Sequence, residues 1–142
     1  MARRLILGRS TNPRADWPRE RAGQVERLLE FFDSELREHF EVEEAHVFPA
    51  AARELTDGDR QTQGLIAEHD TMRGMIREFE ADRASSLDER LTAFGELLEA
   101  HIHREERELF QQMQAECEPQ TMDALGAGIA ASAAGTGVPC RL

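Results

Sequence analysis

The stretch HFEVEEAHVF, residues 39–48, returns sixty-two positions later as HIHREERELF, residues 101–110, with histidine first, glutamates fifth and sixth, and phenylalanine last. What constrains the fold is where these blocks fall in the hydrophobic pattern. Up to about Arg53, Val25, Leu29, Phe32, Leu36, His39 and Glu43 recur three or four apart, which is one face of an α-helix. Leu91, Phe94, Leu98, His101, Glu105 and Leu109 repeat that spacing in a stretch reaching about Glu116. Between them, Leu65 or Ile66, His69, Met72, Ile76 and Phe79 form a third stripe that ends near Arg83. Histidine and glutamate therefore occupy slots that a helical core normally gives to apolar side chains.

The punctuation agrees with three long helices. STNPRADWP reads as a loop, with Asp16 as an N-cap and Pro18 in the first turn. Pro49 is expected to kink or terminate the first helix. TDGD at 56–59 is a turn, Ser86 with Glu89 makes a capping box for the third helix, and Pro119 ends that helix. Nothing reads as a strand, so the expected class is all-α, an up-down antiparallel bundle. At 142 residues the chain holds one core. It divides into a short segment 1–18, a helical core 19–118 and an Ala/Gly-rich tail 119–142 with a short helix.

An i, i+4 pair projects from one side of a helix, one turn apart. If the stripes face inward, Glu43 and Glu105 meet His39, His69 and His101 inside the bundle. Buried ionised carboxylates cost several kcal/mol each unless they neutralise, pair or bind a metal. A cation held by mixed nitrogen and oxygen ligands resolves the conflict, and two carboxylates from facing helices can each bridge two ions. A lone inward histidine is more often a hydrogen-bonded core residue, and a single HxxxE is a weak signal; two copies with a third inward histidine are not. Glu44 and Glu106 are rotated about 100° from the inner pair, which suits surface or supporting roles. His103 faces away. His46 completes Glu43-x-x-His46, a spacing that di-iron carboxylate bundles also use, but Glu108 stands at the matching place of the second block, so a contact at the bundle end is the alternative.

The net charge of −11 argues against nucleic acid, whose phosphates need a basic surface. No apolar run approaches the roughly 20 residues that span a bilayer, and LILG is too short for a signal-peptide core, so the expected location is cytoplasmic. Cys117 and Cys140 belong to no CxxC or Cys/His cluster and are expected as free thiols, with a disulfide possible in principle.

The segments LREHFEVEEAHVFP, IAEHDTMRGMI and LLEAHIHREERELF, in this order and spacing, resemble the second, third and fourth helices of the hemerythrin-like (HHE cation-binding) family. The resemblance covers about residues 20 to 130. It implies a four-helix bundle with a non-haem di-iron centre, in which His39 and His101 are iron ligands, Glu43 and Glu105 bridging carboxylates, and His69 a further ligand. It also implies an opening helix with another histidine. No histidine precedes His39, and ARRLIL looks like the last turns of that helix, so the expectation is either a truncated start or a shortened first helix. The groove this leaves would expose apolar surface, for which a homodimer or an exchanged segment is the expected cover.

For function, the resemblance implies oxygen binding or sensing, with dioxygen or another diatomic as ligand. Phe32, Leu36, Phe40, Met72, Ile76, Phe94, Leu98 and Ile102 would form the dry pocket. The alternative is a di-iron oxidoreductase acting on peroxide, nitric oxide or ferrous iron. A binding or sensing protein is expected ahead of an enzyme, and a purely structural module is disfavoured by the inward His/Glu set.

Overall fold

A computed structural model describes residues 18–136, with side chains up to residue 129. The helix remnant ARRLIL, Asp16 and Cys140 lie outside the described residues, and with Cys140 the question of its pairing; Cys117 is a half-buried free thiol. Among the described residues there are four helices and no strand: α1 over residues 21–54, α2 Gly58–Ala81, α3 over residues 87–116 and α4 Pro119–Thr136.

The first three run up, down and up. Arg21 at the start of α1 pairs with Asp88 at the start of α3. Arg83, just past α2, reaches Glu26 of α1 at 2.6 Å, and Thr56, just past α1, donates to Glu116 at the end of α3 at 3.1 Å. α4 doubles back along the second half of α1: the Thr121 hydroxyl donates to Glu54 at 2.8 Å, and its Leu125 and Ile129 are buried beside Val42, Val47 and Met113.

Both tight connections use left-handed backbone. Asp57 has φ 62°, and the chain then passes so close to α1 that a Cβ on Gly58 would lie 2.1 Å from the Ala51 carbonyl oxygen. Only glycine fits there. Ser86 has φ 51° and makes no side-chain cap bond to α3, so the expected capping box with Glu89 does not form. The turn is held instead by Asp82, whose Oδ1 accepts from the backbone N–H groups of Ala84 and Ser85 at 3.0 and 3.1 Å.

The buried stripes of α2 and α3 follow the expected residues: Leu65, His69, Met72, Ile76 and Phe79, then Leu91, Phe94, Leu98, His101, Glu105 and Leu109. α1 departs from its expected face. Val25, Leu28, Leu36, Phe40 and Glu43 are buried there, while Leu29 and Phe32 are only partly so. The shift from His39 to Phe40 follows a π turn at Phe32–Leu36, and α1 has a second at Glu43–Val47; in both an N–H reaches back five residues instead of four. Each takes in one extra residue and slips the register of the helix beyond it. The second lies just ahead of Pro49, and the helix runs on through that proline to Glu54 rather than stopping. Widening the turn before a proline relieves the clash of its ring with the preceding turn.

α3 has a matching π turn, Arg104–Leu109. In both blocks the closure is the same: the Phe48 N–H donates to the Glu43 carbonyl, and the Phe110 N–H to the Glu105 carbonyl. The fifth and tenth places of the repeated block are thus the two ends of one backbone hydrogen bond.

Candidate metal centre

Two apolar clusters fill the bundle, one around Leu28, Phe40, Ile76 and Phe94, the other around Val47, Phe48, Leu65 and Leu109. A polar layer separates them. Glu43 comes from α1, His69 from α2, His101 and Glu105 from α3, and all four are buried, Glu43 and His69 completely. One ligand atom from each lies within 4.8 Å of the others. His69 Nε2 is 3.0 Å from His101 Nε2 and 3.3 Å from Glu43 Oε1. Glu105 Oε1 is 2.6 Å from His101 Nε2 and 3.8 Å from His69 Nε2.

His39, the fifth expected site residue, does not enter this group. Its Nε2 is 3.5 Å from Glu43 Oε1, and its side chain is 29% exposed, at the edge of the layer. Phe40 has taken the inward slot and stacks on the His69 ring, with centroids 3.8 Å apart and planes 13° from parallel. Phe48 lies against the same imidazole at 5.4 Å, tilted 36°, so two apolar rings of α1 pack against His69.

The outer nitrogens have partners too. His69 Nδ1 is 2.7 Å from Glu44 Oε2, and His101 Nδ1 is 3.0 Å from Glu68 Oε1. Arg73 donates to Glu44 at 2.6 Å, and Arg104 pairs with Glu68. Glu44 therefore has the supporting place that its rotation suggested. Glu68, Arg73 and Arg104 are not marked by any spacing in the sequence, because each meets its partner on a different helix. Glu106 and His103 are exposed, and the His46 ring lies against α4, its Nδ1 3.1 Å from where a Cβ on Gly128 would be, away from the cluster.

Burial pushes the Glu105 carboxyl up, but the imidazoles of His101 and His69 beside it outweigh that and hold it well below the usual carboxylate range. Burial lowers His39 and the neighbouring imidazoles lower it further, against the pull of Glu105, which favours the neutral ring that a metal needs. Oε1 of Glu105 is buried and receives no hydrogen bond of good geometry, although His101 Nε2 is close. It is turned toward the centre, among the imidazole nitrogens. Two imidazoles and two carboxylates form a mixed N/O set that suits iron, zinc or manganese, and a cation offsets the cost of two buried acids. The residues present fit a metal ion.

A family model described as the hemerythrin HHE cation binding domain matches residues 2–113. The match begins earlier than the resemblance read from the motifs, taking in the opening segment, and it stops before α4. Comparison with curated proteins and with solved structures returned no match.

Proposed function

Since the chain belongs to the hemerythrin HHE cation-binding family, we propose that its His/Glu layer holds a non-haem di-iron centre that binds or senses dioxygen. The observation that carries this reading is the convergence of Glu43, His69, His101 and Glu105, from three helices, on one point between two apolar clusters. His39, 3.5 Å from Glu43, is the nearest further imidazole and the residue we assign to a second ion. Iron in such a place supplies a reversible electron donor for a diatomic ligand.

The protein's own part is to position and to dry the site. Glu43 and Glu105 reach it from α1 and α3, and His69 and His101 present Nε2 to it. Phe40, stacked on His69, and Phe48 beside it help keep water from this fully buried ring. The edge at His39 is the more open side, which also supports the second reading, an oxidoreductase for peroxide, nitric oxide or ferrous iron. We further propose a homodimer, with the partly buried Leu29, Phe31 and Phe32 of α1 in its interface; a monomer in sedimentation overturns that.

The test is metal analysis of protein produced with ample iron, together with its visible spectrum with and without oxygen. Iron at two per chain and an oxygen-dependent charge-transfer band are expected. Zinc alone, or no metal, overturns the reading. Rapid turnover of peroxide or nitric oxide without a stable oxygenated form moves the assignment to the oxidoreductase.

A further inference from the structure

The two buried imidazoles are braced in the same way, one helix apart. Glu44 on α1 meets His69 on α2, and Arg73, four residues on from that histidine, returns to the same glutamate. Glu68 on α2 meets His101 on α3, and Arg104, three residues on, returns to Glu68. In each brace the carboxylate comes from the preceding helix, while imidazole and guanidinium share the next one. We propose that Glu44 and Glu68 are positioning residues of the metal centre: they set the tautomer and orientation of His69 and His101 and thereby its metal affinity.

An ionised carboxylate only accepts hydrogen bonds. Glu44, 2.7 Å from His69 Nδ1, and Glu68, 3.0 Å from His101 Nδ1, therefore require the ring proton on Nδ1. In the neutral ring that a metal needs, that leaves a lone pair on each Nε2. These two atoms stand 3.0 Å apart and face Glu43 and Glu105, so four acceptor atoms point at one place, an arrangement that a cation relieves. The arginines hold the braces in place. Arg73 is itself anchored by Asp70 at 3.0 Å, and its guanidinium lies over the Phe40 ring, the ring that stacks on His69. A carboxylate on the far nitrogen makes an imidazole more basic and holds its plane, and losing such a partner typically loosens a metal about 10- to 100-fold.

This inference rests on reading the layer as a metal site, and the experiment separates the two. Cobalt(II) affinity is measured on the full chain by chelator competition for wild type, Glu44→Gln, Glu68→Gln and the corresponding leucine variants, beside metal-free melting curves and the cobalt absorption spectrum. The glutamine variants keep an acceptor for Nδ1–H but lose its charge, so a loss of roughly 10-fold is expected. The leucine variants lose both and should approach roughly 100-fold, with shifted cobalt bands. Melting of the metal-free glutamine variants should match wild type. Equal affinity in wild type and all variants, with wild type binding cobalt, overturns the positioning role alone. So does a loss of affinity that appears only in variants whose metal-free melting falls in step, because it marks a purely structural brace. A wild type that binds no cobalt overturns the metal reading and this inference with it.

Discussion

His101 is buried on α3 with its Nε2 among the cluster atoms, whereas His39, at the same place in the first block, is 29% exposed and touches the cluster only through Glu43. The cause lies upstream of both. α3 is an unbroken α-helix from Leu87 to His103, so one period carries Leu91, Phe94, Leu98 and His101 to the same face. α1 takes a π turn at Phe32–Leu36, and the extra residue brings Phe40 into the slot that a regular period assigns to His39. A four-residue spacing determines which residues share a face of a helix. It does not determine which face turns inward when one turn earlier closes five residues back.

Replacing the residue that took the slot should have the largest effect. Phe40→Ala removes the ring stacked on His69 and is expected to cost about 3–5 kcal/mol. Phe32→Ala, at a half-buried position on the face that a regular period would choose, should cost less than about 2 kcal/mol. Urea unfolding of the metal-free protein, followed by far-ultraviolet circular dichroism, measures both; equal costs would break the register argument. Next in size is the contrast between the two histidines. His101→Ala should weaken metal binding by more than about 100-fold, beyond the usual loss of an outer partner. His39→Ala should weaken the tighter ion by about 10-fold or less while reducing the metal count per chain. Chelator competition with metal analysis reads both numbers, and identical behaviour of the two variants would mean that the blocks are equivalent after all.

The same contrast explains how far the pattern of residues carried. The stripes of α2, and of α3 as far as His101, were legible because an uninterrupted α-helix has a single period, and with them came His69 and His101; Glu105, four residues on, stands at the start of the π turn, before its slip takes effect. Glu43 was legible as well, although the face of α1 leading to it was misjudged at Leu29, Phe32 and His39. The braces were not legible: Glu68 and His101 are thirty-three positions apart and meet only after α2 and α3 have packed. The capping box at Ser86 had the right residue types, but its geometry requires extended backbone at the cap, and Ser86 is left-handed.

The smallest expected effect is the sharpest test of what the two blocks share. Pro49 comes just after the π turn of α1, and sixty-two positions on, Gln111 comes just after the π turn of α3. The second block forms this turn without proline, so proline is not its cause. The common elements are the glutamate carbonyl that accepts and the phenylalanine N–H that donates. If the widened turn is what lets α1 continue through Pro49, the equivalent exposed place in α3 should accept the same residue. Gln111→Pro is therefore expected to keep the fold and to cost less than about 1 kcal/mol, where proline inside an ordinary helix costs about 3 kcal/mol or more. Ala93→Pro, exposed in the regular part of the same helix, should show that full cost. Thermal melts of the two metal-free variants decide it. If Gln111→Pro is as damaging as Ala93→Pro, the two π turns are not the same device, and the likeness of the blocks ends at their ligands.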